Sequence, residues 1–116
     1  MPADLRIGVR EHAGTLVLHL EGELDLSSAR YLEGAIQRAQ EAGSPVVVID
    51  TERLWFIDMA GLRVLIAARE RAEQEGQSLL LTNVHAPLRR VLTLGRAAEL
   101  LPEVNGEGRY VDRPSD

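Results

Sequence analysis

Four consecutive β-branched residues, Val46-Val47-Val48-Ile49, stand just after Gly43 and Pro45 with no polar side chain among them. A strand with one wet face alternates apolar and polar side chains. An unbroken run instead predicts a strand covered on both faces, the pattern of sheets built with crossover helices. The segment before the run reads as such a helix. From about Ser28 to Ala42 the residues Ala29, Leu32, Ala35, Ile36 and Ala39 recur at helical spacing, with Ser27 expected as N-cap and Gly43 as the stop.

The alternation continues downstream. Asp58 is expected to cap a helix over about Met59 to Glu75, with Leu62, Leu65, Ile66 and Ala72 inward, Arg69/Glu73 and Arg71/Glu75 paired outward, and Gly76 as its end. Ser78 to Thr82 reads as a short strand, and Pro87 marks a third helix that runs to about Leu94 before Gly95. Upstream, Arg6 to Val9 and Thr15 to Glu21 read as strands around a turn over Arg10 to Gly14, with His12 at the tip. Leu16, Leu18 and Leu20 share one face of the second strand and His19 takes the other. A hairpin followed by helix, strand, helix, strand and helix predicts an α/β fold. Its mixed sheet should have four or five strands, the first antiparallel and the remainder mainly parallel, flanked by three to four helices. The chain reads as one domain over 1–116 whose stretch 102–116 is a partly irregular tail, with a further helical turn expected over 96–101 and an edge strand over 108–111.

Composition excludes several classes of function. At 116 residues the chain can build one core without staples, and the absence of cysteine removes disulfides and Cys-ligated metals. All 13 basic residues are arginine, so Schiff-base chemistry, a catalytic lysine and a phosphate-loop lysine are out together. With a formal charge of −5 and Arg89-Arg90 as the sole adjacent basic pair, nucleic acid is not an expected partner. The longest apolar runs, Val46 to Ile49 and Val64 to Ala68, fall far short of the ~20 residues that span a bilayer. No basic-then-apolar export signal opens the sequence, so a cytoplasmic protein without direct membrane insertion is expected. There is no Gly-x-Ser-x-Gly elbow and no nucleotide-binding glycine fingerprint, and His12, His19 and His85 lack metal-ligand spacing. No catalysis, cofactor or metal is expected.

Loops after the carboxyl ends of parallel strands emerge on one edge of an open sheet, where ligands collect. The loop after the second strand carries Asp25 and Ser27, and the one after the third is expected to carry Asp50, Thr51 and Asp58. Such acids suit a divalent cation or acid/base work, but helix capping selects the same residues at the same places. A metal-dependent nucleotide site on Asp25, Asp50 and Asp58 lacks any lysine or glycine loop to hold phosphates. Trp55 with Phe56 is the one close aromatic pair, and it reads either as core or as a docking anchor beside the second helix.

Three segments now meet in order: Gly22-Glu23-Leu24-Asp25, the apolar third strand, and Phe56-Ile57-Asp58-Met59-Ala60-Gly61-Leu62. Together, over roughly Leu5 to Leu101, they resemble the STAS domain of bacterial anti-sigma factor antagonists. The resemblance implies a STAS-like sheet that begins with an antiparallel strand. It also implies protein binding: docking onto an anti-sigma factor of the serine-kinase type, which then ends the complex by phosphorylating the antagonist. The family pattern Asp-Ser-Ser-Gly-Leu places the acceptor at its second serine. Here the two serines are replaced by Met59 and Ala60, so the matching position has no hydroxyl. The binding face so implied comprises Asp25, Ser27, Trp55, Asp58, Met59, Ala60, Gly61, Leu62 and Arg63. Gly61 would either permit close approach at that face or serve internal packing. Ser27, Ser28, Thr51 and Thr82 are the hydroxyls near strand ends that could substitute as acceptors, although caps and turns already account for them. The alternative within the family is an accessory subunit of a lipid-transport ABC system or a scaffold in a larger signalling complex.

Overall fold

A computed structural model describes residues 4–95 and 103–104. Along the chain it contains β1 (Leu5–His12), β2 (Thr15–Leu24), α1 (Ala29–Glu41), β3 (Val46–Ile57), α2 (Met59–Gln74), β4 (Ser78–Thr82), α3 (Ala86–Leu94) and β5 (Glu103–Val104). The strands form one sheet in sequence order, with β1 antiparallel to β2 and every later pair parallel. This is the mixed α/β sheet that the order of segments predicts. The final helical turn expected over 96–101 and the edge strand expected over 108–111 lie outside the described residues. Within the expected tail, Glu103–Val104 pairs with Leu81 and Thr82 as a short fifth strand.

Strand β1 continues to His12, which pairs with Thr15, so the turn is the two residues Ala13 and Gly14 and not the longer segment expected. Both have positive φ, 52° and 84°, the handedness that suits a tight hairpin to the strands' own twist.

Each parallel connection carries a helix. Gln40 Nε2 of α1 donates to the Ala68 carbonyl of α2 at 3.0 Å, so the two helices lie side by side. Leu32 and Ile36 of α1 and Leu62, Leu65, Ala68 and Ala72 of α2 share the core with Leu18, Leu20, Val47, Ile49, Leu79 and Leu81. Ile66, expected inward, is only partly buried against that core. Arg69 pairs with Glu73 at 2.7 Å as the spacing predicts. The expected Arg71/Glu75 pair is not formed among the described residues, and Arg71 turns instead toward Gln40. The start of β3 is enclosed on both sides, as its unbroken run requires. Val47 and Ile49 lie at 1% and 0% exposure within the core they share with the helices, while Val48, between Val17 and Leu80 in the sheet, is 7% exposed.

The main departure from expectation is the length of β3. It runs 12 residues, so Asp50 and Thr51 belong to the strand and not to the loop after it. A charged residue after an apolar run looks like a strand end. Asp50 is tolerated inside because its carboxylate is satisfied on every side. It meets His19 Nδ1 at 2.7 Å and accepts from Asn83 Nδ2 at 2.9 Å and from the Glu52 amide at 3.0 Å. Burial raises the Asp50 pKa, but the bonds from Asn83 and the Glu52 amide and the His19 ring outweigh it and hold the carboxyl below its ordinary value. Thr51 is also internally satisfied, its hydroxyl donating to the Thr82 carbonyl at 3.0 Å.

Candidate functional site

The last residues of β2 and β3, Leu24 and Ile57, are register partners. Asp25 and Asp58 follow them directly, so the two loops leave the sheet on the same edge. The Asp58 amide donates to the Leu24 carbonyl at 3.1 Å and ties the two chain turns together.

Each aspartate organises its own helix start. Asp58 is the N-cap of α2, extended in backbone, and its Oδ1 accepts from the Gly61 amide at 3.0 Å. At α1 the expected cap is corrected: Ser28, not Ser27, holds the N-cap position, and its side chain makes no capping bond. Ser28 is 1% exposed and donates inward to the Glu23 carbonyl at 2.8 Å. The carboxylate of Asp25 instead braces the turn that leads into α1. Its Oδ1 accepts from Ser27 Oγ at 2.7 Å and from the amides of Ser27 and Ser28 at 3.0 and 3.1 Å. The hydroxyl of Ser27, with further help from Ser28, holds the Asp25 carboxyl below its ordinary pKa.

The close approach of α2 to β2 explains Gly61. A β-carbon there would stand 2.5 Å from Leu24 Cγ and 2.8 Å from the Leu24 carbonyl oxygen. Gly61 is buried and Leu62 is 0% exposed. These two members of the expected binding face therefore shape it from beneath, because the helix turns them onto the core. Ala60 is half-buried, Arg63 exposed and Met59 53% exposed.

Trp55 and Phe56 are both outward, at 65% and 50% exposure, although neighbours along a regular strand face opposite ways. Two irregularities in pairing account for this. Between His19↔Asp50 and Glu21↔Arg53, and again between Gly22↔Leu54 and Glu23↔Phe56, β3 uses one residue more than β2. Such bulges re-aim side chains at functional rims. Here they bury Leu54 and Ile57, at 1% and 6%, and leave the aromatic pair between them in solvent. Trp55 is thus not core. Beside it, Leu54, Phe56, Pro87, Leu88 and Val91 line a groove of about 120 Å³ between β3 and α3. His85 fixes that side of the groove: one ring nitrogen meets the Leu54 carbonyl at 2.7 Å and the other accepts from the Leu88 amide at the start of α3. Its role is therefore structural, as a cap.

Sequence reading missed Leu26, 78% exposed in the Asp25 loop, because a lone leucine between two helix-start signals carries no periodicity. The acids Asp25, Asp50 and Asp58 do not converge. A different trio, Asp4, Glu23 and Asp25, brings carboxylate oxygens within 4.8 Å of one another at the edge of the hairpin. One Asp25 oxygen is already committed to its own loop, and the trio by itself assigns no ion. The substitute hydroxyls also separate: Ser28, Thr51 and Thr82 are buried and Ser27 alone is exposed. Among the described residues, no helix is long and apolar enough to cross a membrane.

The edge therefore carries an Asp25-braced turn into α1, the Asp58-capped start of α2, a half-buried methyl at residue 60 and a band of exposed apolar side chains. The family model described as "Mlab, STAS domain" matches residues 7–102. The anti-sigma F factor antagonist of Paenibacillus polymyxa is 28% identical over 108 residues, covering 90% of each chain. The anti-sigma-F factor antagonist RsfB of Mycobacterium tuberculosis is 34% identical over 73 residues, 63% of this chain and 60% of that one. The crystal structure of an anti-sigma factor antagonist from Mycobacterium paratuberculosis superposes with a TM-score of 0.78 at 27% identity, covering 85% of this chain and 84% of that one. Similar along most of its length to anti-sigma factor antagonists, this chain belongs to the STAS domain family.

Proposed function

We propose that the protein is a cytoplasmic anti-sigma factor antagonist that docks an anti-sigma factor of the serine-kinase type and is not released by phosphorylation at the usual position. The observation that carries this reading is Ala60, half-buried on the first turn of α2, between the Asp58 cap and the Gly61 contact with Leu24. A phosphate there would add roughly −1.5 to −2 charges beside Asp58 and close to the Asp25 loop. The free amides of the helix start would tolerate that charge, so the modified fold would survive while an apolar or acidic partner surface was repelled. A methyl group keeps the local charge of the unmodified, receptive form at all times.

Asp25, Ser27, Asp58 and Arg63 form the polar part of the docking edge in this reading, with Met59 and Ala60 between them and Trp55, Phe56 and Leu26 as apolar anchors. The test uses the purified chain, the serine-kinase anti-sigma factors of its own cell, and ATP. The expected result is a complex that persists through kinase turnover, while Ala60→Ser converts the chain into a substrate whose complex dissolves as phosphate appears on residue 60. Failure to bind any of these kinases would overturn the reading.

A second reading draws on the family description itself, which names Mlab. A STAS accessory subunit of a lipid-transport ABC system would use the same edge to hold an ATPase subunit, and the absence of an acceptor hydroxyl would then carry no regulatory meaning. Neighbouring genes separate the two: a permease and an ATPase support the transporter subunit, and a kinase-like anti-sigma gene supports the antagonist.

A further inference from the structure

Pro87, Arg90, Val91 and Leu94 recur at i, i+3, i+4 and i+7 along α3, so they share one side of that helix, while Leu88 and Leu92 turn into the core. Pro87 and Val91 of that side, with Leu54, Trp55 and Phe56 of β3, line the groove of about 120 Å³ between the two elements. Leu94, 78% exposed, prolongs the apolar stripe by one turn, and Arg90 is exposed beside it. Small-molecule sites span roughly 300–1,000 Å³, so this groove is too small to enclose a free ligand and is of a size to take one aliphatic side chain. His85, the one ionisable group in its lining, spends both ring nitrogens on the Leu54 carbonyl and the Leu88 amide, so what enters has to be apolar.

Charge decides what flanks that side chain. Residues 53–57 and 86–94, which form the two sides of the groove, carry three charged side chains, and all three are arginines: Arg53, Arg89 and Arg90. The chain as a whole has a formal charge of −5. Arg89 is committed to the Val84 carbonyl at 3.1 Å, whereas Arg90 is exposed and Arg53 meets Glu21 only at 3.9 Å, with its side chain largely in solvent. An acidic segment is therefore drawn to this rim of a molecule that repels it elsewhere. We propose that the groove receives an acidic, leucine-bearing segment of the partner protein, the leucine entering between Trp55, Phe56, Pro87 and Val91 and the carboxylates beside it pairing with Arg90 and Arg53. The proposal rests on the docking-edge reading and names the part of the partner that meets Trp55 and Phe56. A basic segment would fill the same groove against like charge.

Trp55 is the only tryptophan of the chain, so its fluorescence reports this groove alone. The test titrates the full chain with the blocked peptide Ac-Glu-Asp-Leu-Glu-Asp-NH2 and with two matched peptides, in which alanine replaces the leucine or lysine replaces every acid. The expected result is a saturable blue shift with the acidic leucine peptide, weakened by salt, and about tenfold weaker binding of the alanine peptide. Arg90 is exposed, so Arg90→Glu should leave urea unfolding unchanged while it turns the preference from the acidic to the lysine peptide. No saturable shift, equal binding of the leucine and alanine peptides, or an unchanged preference in Arg90→Glu would overturn the proposal. A blue shift that grows with protein concentration in the absence of peptide would also overturn it and give the groove to a second copy of the chain. No anti-sigma factor enters this measurement: peptide binding without capture of any such kinase would remove that partner and keep the groove, whereas capture without peptide binding would sink this inference alone.

Discussion

Replacing Gly61 by alanine tests the junction on which the proposed docking edge is built. The added β-carbon would sit 2.5 Å from Leu24 Cγ, 2.9 Å from its Cδ2 and 2.8 Å from its carbonyl oxygen. None of these can retreat cheaply: Leu24 is 0% exposed, and its carbonyl already accepts from the Asp58 amide at 3.1 Å. Overpacking of this kind costs about 1–3 kcal/mol. Stretching the Asp58 amide bond adds about 1 kcal/mol, while the better helix propensity of alanine returns about 1 kcal/mol. The net expectation is a destabilisation of about 1–3 kcal/mol, or a fall in Tm of roughly 4–12 °C for a domain of this size. Gly34 supplies the internal control, because a β-carbon there meets nothing nearer than Arg38 Nη1 at 3.4 Å. Gly34→Ala in the body of α1 should stabilise by about 0.5–1 kcal/mol. Urea unfolding of both variants reads the contrast directly, and a neutral or stabilising Gly61→Ala would refute the close contact of α2 with the end of β2.

Other perturbations probe single parts of the same edge. Asp58→Ala should cost about 1 kcal/mol in unfolding free energy and Asp58→Asn much less, since asparagine also caps; equal losses would remove the cap from the account. Trp55→Ala should leave the urea midpoint nearly unchanged, because the side chain is 65% exposed, yet weaken capture of the proposed anti-sigma partner about tenfold or more. A large stability loss without a binding loss would return Trp55 to the core. The lowered pKa of Asp50 makes an acid-side prediction. Its stabilising contribution is fully present above the ordinary value of 3.8 and is lost as the pH falls through the lower folded-state value. Unfolding free energies measured from pH 6 down to pH 2 should therefore converge for the wild type and Asp50→Asn in acid, and a gap that stays constant would show that Asp50 titrates alike in the folded and unfolded chain, refuting the lowered value.

The legible parts of this fold were those written in period. The leucines of β2, the helical spacing in α1 and the caps at Asp58 and Gly76 each repeat a local rule, so the order of elements and the shared edge could be read before any coordinate. What escaped depended on pairing across strands. The bulges in β3 are invisible in its own sequence, because they appear only as a mismatch of count against β2. Hence a 12-residue strand looked like four, and Trp55 and Phe56 could not be assigned to a face. Ser27 and Ser28 present a similar ambiguity. Both are acceptable caps by type, and the choice between them is made by where Asp25 reaches and by the inward bond of Ser28 to Glu23. The partnership of His19 with Asp50 lay across 31 residues of sequence, beyond any local signal.

The same geometry explains why the proposed docking edge does not depend on the side chain at residue 60. Nothing that holds Asp25 and Asp58 in place passes through residue 60. One carboxylate is braced by Ser27 and Ser28, the other by the Gly61 amide, and the two loops are joined by the Asp58 amide on Leu24. The exposed aromatics are set by the pairing of β3 with β2, independently of both helix starts. Serine, alanine or aspartate at position 60 should therefore change the charge and hydrogen-bonding of the rim without moving it. Differences in partner affinity among Ala60→Ser, Ala60→Asp and the wild-type chain accordingly report electrostatics, provided that their unfolding free energies agree to within about 0.5 kcal/mol, the usual spread for substitutions away from the core.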